Sequence, residues 1–161
     1  MKICFLGCGN IAQAIINGLL KSGISSSDIY CIERNEQRVE SLKKQKLQII
    51  ELENLTSIDF DLIVLAVKPK DALSAEQSIF KIAPKAAILT LVAGIGIEKY
   101  SQPNAIIRAM PNTAYAFGKG VTAIYAKDQN SVAFKATNKL FTKVGHVLPL
   151  QSEDEMHRFT S

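Results

Sequence analysis

The sequence predicts a doubly wound α/β domain, a mainly parallel sheet with helices on both faces. Three observations predict it. Short apolar runs alternate with segments of helical period along nearly the whole chain. Two of the runs, Asp61–Val67 and Ala86–Val92, are apolar almost throughout, the mark of parallel strands covered on both faces. The runs also end in small, polar or ring-constrained residues: Gly7 to Asn10, Glu33 to Asn35, Ala66 to Pro69, Val92 to Gly94 and Met110 to Thr113. Ligands of such sheets gather at the carboxyl ends of the strands, so these five stretches form the expected functional rim.

The first strand, Met1–Leu6, passes through Gly7-Cys8-Gly9-Asn10-Ile11-Ala12 into a helix. In this pattern Gly7 lets the chain turn off the strand and Gly9 lets a phosphate approach the backbone. Ala12 lets helix and strand pack closely. The free N–H groups and positive dipole end of the helix then face an anion. Ile11, Ala14, Ile15, Gly18, Leu19 and Leu20 recur at helical spacing, and Gly23 with Ser25–Ser27 closes the helix. Asp28–Ile32 reads as the second strand. It ends in Glu33-Arg34-Asn35, about twenty residues past the turn, where a ribose-reading group belongs. Strand, turn, helix, strand and polar end in this order predict a dinucleotide-binding fold of the Rossmann type.

Glu36–Lys46 is a charged amphipathic helix with Val39 and Leu42 inward, Leu47–Ile50 a short third strand, and Asn54–Ile58 a loop or single helical turn. Asp61–Val67 is the fourth strand. Lys68-Pro69-Lys70 stops it, and the proline ring can open the helix Asp71–Ala83. Ala86–Val92 is the fifth strand and Ala105–Met110 the sixth, with a short crossing segment at Ile97–Tyr100 between them. Gly118 and Gly120 punctuate a loop before a strand at Val121–Ala126. Ser131–Val144 follows as a helix with Val132, Ala136, Leu140 and Val144 inward, and Gly145 as its C-cap. His146–Leu150 is the last strand, and Glu153-Asp154-Glu155 begins a helix. The expected division is a nucleotide-binding domain at 1–150 and a connecting segment at 151–161.

With 161 residues the chain can bury a substantial core. It is 47% apolar and 21% charged, and no apolar run is long enough to span a membrane. Met1 leads directly into the first strand, so no targeting segment and a cytoplasmic location are expected. The net charge of +4 is scattered, and its densest cluster, Lys43-Lys44 with Lys46, reads as a solvated helix end; no nucleic-acid partner is expected. Three cysteines, Cys4, Cys8 and Cys31, lack metal-ligand spacing and an even count, so neither a metal nor a disulfide framework is expected. Cys4 and Cys31 fall on buried strands, whereas Cys8, in the turn, is the one expected to be open to oxidation when no cofactor covers it.

At the strand ends the chain resembles pyrroline-5-carboxylate reductase. The resemblance rests on Gly7-Cys8-Gly9-Asn10-Ile11-Ala12, Ala66-Val67-Lys68-Pro69, Val92-Ala93-Gly94 and Arg108-Ala109-Met110-Pro111-Asn112-Thr113, in order. The tail Glu155-Met156-His157-Arg158-Phe159-Thr160 is similar to the approach to that family's second domain. The resemblance implies hydride transfer from NADPH or NADH to the imine carbon of 1-pyrroline-5-carboxylate, giving L-proline. It implies NADP(H) as the preferred cofactor, with NAD(H) also admitted. By matching position, Leu6, Gly7, Cys8, Gly9, Asn10 and Ile11 would wrap the pyrophosphate, Arg34 and Asn35 would meet the ribose or its 2′-phosphate, and Asn54 the adenosine side. Ala66, Val67, Lys68 and Pro69, with Leu91, Val92 and Ala93, would line the nicotinamide, and Asn112 would sit near the carboxamide or substrate. The family continues into an all-helical domain that forms a homo-oligomer and supplies much of the substrate pocket. This chain is therefore expected to bind cofactor and to be incomplete for catalysis, and no proton donor is assigned within it.

Glu33 and Arg34 pull in opposite directions, since an acid accepts from both ribose hydroxyls whereas an arginine meets a 2′-phosphate. With Arg34-Asn35 as the clamp, Glu33 is expected to point away. Lys68 reads as a solvent- or phosphate-facing side chain, and His146 and His157 as structural or exposed. Two other functions fit the motif: a stand-alone NADP-binding regulatory module, and the cofactor domain of a 3-hydroxyacid-type dehydrogenase.

Overall fold

The computed structural model describes residues 1–112 and 120–160. Strands β1 (Ile3–Leu6), β2 (Ile29–Ile32), β3 (Gln48–Ile49), β4 (Leu62–Leu65), β5 (Ile88–Thr90), β6 (Ile106–Pro111), β7 (Gly120–Tyr125) and β8 (Gly145–Pro149) form one sheet in the order β3-β2-β1-β4-β5-β6-β7-β8. The first six are parallel. Ile3 lies opposite Ile29 on one side and Leu62 on the other, and β5 and β6 continue the register with Thr90 opposite Arg108. β7 returns antiparallel along β6, and β8 runs parallel to β7, so the last two strands oppose the rest.

Alternate side chains feed two cores. Ile3, Phe5, Leu62 and Val64 face the side covered by α1 (Asn10–Lys21), α2 (Glu36–Lys44) and α4 (Val132–Thr142). Cys4, Ile63 and Leu65 face the side covered by α3 (Pro69–Ile82). β4 is buried at every position. Each such Leu or Ile contributes about 1.5–3 kcal/mol relative to exposure, which is why the apolar, non-alternating pattern marks the sheet's centre. α5 (Glu153–Thr160) docks beside β6 and β7, with Met156 fully buried against Leu150 and Ala123.

The elements fall where the periodicity puts them, with local differences. α1 ends as expected at Gly23 (φ +103°): the Gly23 N–H donates to Leu20 O and the Ile24 N–H to Leu19 O. The helix read as Glu36–Lys46 stops at Lys44. Lys46 closes it in the same way in the left-handed region (φ 64°), the Leu47 N–H donating to Leu42 O. Within it Leu42 is buried and Val39 half-buried.

Two expectations are corrected. Val132, read as inward, is 86% exposed; α4 buries Phe134, Thr137 and Phe141 beside the expected Leu140, because two phenylalanines outweigh one valine in setting the helix's rotation. Gly145 is not a C-cap. Lys143 is, and Gly145 opens β8 in a close approach where an added Cβ would lie 2.1 Å from Gly120 O. Thr113 and Gly118 lie outside the described residues.

Candidate functional site

The strand order reverses between β1 and β4, the point where a doubly wound sheet opens a crevice at its carboxyl edge. The β1–α1 turn lies there. Gly7 has φ +88°, and a Cβ on it would meet Ala66 O at 2.7 Å, so a side chain is excluded both by conformation and by space. Its N–H donates to Ile32 O, and the Ala66 N–H donates to Leu6 O. Leu6, Gly7, Ala66 and the end of β2 are thereby drawn together.

Gly9 is different. It caps α1 at φ −75°, a conformation open to any residue, and among the described residues an added Cβ would meet only Arg38 Nη2, at 4.0 Å. The fold does not require a glycine there. α1 carries no acidic residue in its first turn, so the positive end of its dipole is not neutralised from within; Asn10 is exposed and Ile11 half-buried beside it. The Gln13 side-chain amide donates to Cys8 O at 2.7 Å and fixes the turn from below.

The Cys8 side chain is fully buried, against the expectation that it is open to oxidation. The turn rotates it into the core towards Cys31, and its thiol pKa is driven far up, first by a hydrogen bond with Cys31, then by burial and by the neighbouring charges of Cys31 and Glu33. Cys4 is pushed up to about 12 by burial and then by Cys8. Buried thiols of this kind are inert.

Glu33 is turned inward. Its carboxylate accepts the N–H groups of Cys8 (2.9 Å), Arg34 (2.8 Å) and Asn35 (3.0 Å), and Arg38 Nη1 lies 3.5 Å from it. Burial alone would raise its pKa; the backbone donors of Asn35, Cys8 and Arg34 and the Arg38 charge outweigh this and hold it below the usual Glu range. Asn35 caps α2, its side chain accepting the Arg38 N–H at 3.0 Å, while Arg34 stays exposed. Of the pair expected to form the clamp, Asn35 thus also serves as a helix cap, and Arg34 is open to solvent beside it. Arg38, which the sequence reading passed over, reaches both Glu33 and the space above Gly9. No local signal marks it, because its role depends on how the start of α2 sits beside the β1–α1 turn.

Farther along the rim, Ala66 and Val67 are half-buried, and Lys68 is exposed at the N-cap of α3 with Pro69 in its first turn. Leu91 and Val92 are buried and Ala93 exposed. Asn112 ties β6 to β7: its N–H donates to Val121 O, and its side chain accepts the Val121 N–H at 3.1 Å. Asn54 is exposed in the 3₁₀ segment Leu52–Ser57 that follows β3. His146 and His157 are both exposed. Among the described residues no group of His, Cys, Asp and Glu could hold a metal ion, and no helix is long and apolar enough to cross a membrane.

Fold and rim together define a nucleotide-binding α/β domain of the Rossmann type. The model of the family described as NADP oxidoreductase, coenzyme F420-dependent, matches residues 2–94, and the chain belongs to that family. It is 29% identical to the pyrroline-5-carboxylate reductase of Pasteurella multocida over 170 residues, covering 99% of this chain and 62% of that protein. With pyrroline-5-carboxylate reductase 1 of Bacillus subtilis the identity is 32% over 169 residues, covering 99% of this chain and 56% of the relative. The chain thus spans about three fifths of the length of these relatives. Its fold is shared with a pyrroline-5-carboxylate reductase of Coxiella burnetii (TM-score 0.87, 24% identity, 99% of this chain and 62% of that one). It is also shared with the NADP-bound pyrroline carboxylate reductase of Plasmodium falciparum (TM-score 0.80, 23% identity, 96% and 59%).

Proposed function

We propose that this chain is the cofactor-binding part of a reductase that transfers hydride from NADPH to the C=N bond of 1-pyrroline-5-carboxylate, forming L-proline. The observation that carries the nucleotide reading is Gly9. A glycine that neither conformation nor protein packing demands, at the start of a helix with no acidic residue in its first turn, leaves room for a phosphate against the backbone. The substrate class is supported by the pyrroline-5-carboxylate reductases to which the chain is similar along almost its whole length.

When bound, the nicotinamide supplies the hydride; the protein positions it and excludes water. Leu6 to Ile11 hold the pyrophosphate, and Ala66 to Pro69 with Leu91 to Ala93 border the nicotinamide. Asn54 lies on the adenosine side and Asn112 near the carboxamide. Glu33 is taken up by backbone N–H groups, which leaves the cations Arg34 and Arg38 to meet a 2′-phosphate, so NADPH is preferred and NADH is bound more weakly. We place the nucleotide-binding unit at residues 1–150, in a cytoplasmic enzyme that acts as a homo-oligomer.

The test is Gly9→Ala beside wild type, titrated with NADPH and NADH and assayed for pyrroline-5-carboxylate reduction. The variant folds with stability within about 0.5 kcal/mol of wild type and binds NADPH at least about tenfold more weakly, about 1.4 kcal/mol. Undiminished NADPH affinity in Gly9→Ala would remove the phosphate from this turn. Turnover by the 161-residue chain would place the substrate groups within it.

A further inference from the structure

The loop that leaves β5 is held at both ends by side-chain hydrogen bonds. At its start, the Val92 N–H donates to Thr90 Oγ1 (3.2 Å), whose hydroxyl is also hydrogen-bonded to the Tyr100 hydroxyl (3.0 Å). At its far end, the Ile97 N–H donates to Glu153 Oε1 (2.9 Å), a residue 56 positions away at the start of α5. The other oxygen, Glu153 Oε2, accepts from Nη1 of Arg108, which is 1% exposed on β6 (2.5 Å). Between the two holds, Ala93 and Gly94 are exposed, and among the described residues no atom lies within 4 Å of where a Cβ on Gly94 (φ +82°) would be. The loop therefore presents an exposed tip on fixed ends.

Glu153 is not needed to cap its own helix. Ser152 Oγ accepts the Glu155 N–H, and Glu155 reaches back to the Gln151 N–H, so α5 is capped without it. A buried arginine is costly unless paired, and here its partner also fixes the loop. We infer that Glu153, held by Arg108, is a positioning residue that sets the Val92–Ile97 loop against the nicotinamide half of the bound dinucleotide. Through it the segment after β8 is coupled to the rim, so a displacement of α5 moves the nicotinamide border and leaves the adenosine side untouched. The inference rests on the reading of this loop as the nicotinamide border.

The test compares NADPH with the 2′-phosphorylated ADP-ribose fragment, which lacks nicotinamide, on wild type and two variants. The double variant Arg108→Met with Glu153→Leu replaces the pair by apolar groups and leaves neither charge unpaired. Glu153→Asp keeps the charge for Arg108 but is one methylene too short to hold Ile97 as well. Both are expected to weaken NADPH about tenfold, to leave the fragment within about twofold and to speed hydrogen exchange at the Ile97 amide. Equal weakening of both ligands, or no change in either, in a folded variant would overturn the positioning role. Failure of the wild-type chain to bind either ligand would instead overturn the nucleotide reading itself, an outcome seen before any variant is made.

Discussion

Individual side chains decide what this rim can recognise. Glu33 shows what residue type alone leaves open. An acid at the end of β2 can accept from a ribose but is expected here to point away, and three backbone N–H groups and Arg38 claim its carboxylate. Because its pKa is held below that of an unfolded glutamate, its contribution to stability is whole above about pH 4.3 and is lost as the pH falls through the folded value. The excess stability of wild type over Glu33→Gln, measured by urea unfolding, should therefore be largest near neutrality and shrink steadily in acid. Arg34 stands exposed beside Glu33, whose carboxylate is taken up by backbone N–H groups. Arg34→Ala should weaken NADPH by about 1.5–3 kcal/mol and NADH much less; equal losses in paired titrations would assign the 2′-phosphate elsewhere. Gly7 and Gly9 were both legible in the sequence as a motif, but not the difference between them. One is demanded by the Ala66 carbonyl, contributed by a strand far away in the chain, and the other by nothing among the described residues. Arg38 and the inward turn of Cys8 were illegible for the same reason, since each depends on how β2 sits beside the β1–α1 turn.

At the scale of the element, local rules were sufficient where one segment determines its own shape. The Schellman end of α1 needed only Gly23, and β4 only its unbroken apolar run. They failed where a neighbour intervenes. α4 was rotated by its two phenylalanines, and Gly145 was taken from helix termination into the β7–β8 pairing by the carbonyl of Gly120. α2 carries a local cost: Lys46 closes it in the left-handed region with a side chain attached. Lys46→Gly should raise the free energy of unfolding by roughly 0.5–1 kcal/mol, the relieved strain less the entropy of a freer unfolded chain; a drop in midpoint would mean that the lysine makes a compensating contact.

For the molecule as a whole, the strand alternation was enough to fix the class of fold and the edge on which ligands gather. The reversal of β7 and β8 was not, because periodicity carries no direction. A ligand bound across the ends of β1, β2, β4 and β5 joins elements from both cores, so its free energy adds to global unfolding. NADPH at a hundred times its Kd should raise stability by about 2.7 kcal/mol, a rise in Tm of roughly 5–11 °C for a domain of this size, readable by scanning calorimetry. The place of β1 has a further consequence, in time. β1 lies between β2 and β4, third of the eight strands in space, and Lys2 meets Asp61, the residue just before β4, across 59 positions. At about 5–20 residues per second on the ribosome, β1 waits roughly 3–12 s for that neighbour to be made. Its neighbours β2 and β3 arrive sooner, so the nascent chain carries a three-stranded stub whose β1 edge stays open until β4 is made. Slower synthesis lengthens the time for which that edge is exposed to pairing with other chains.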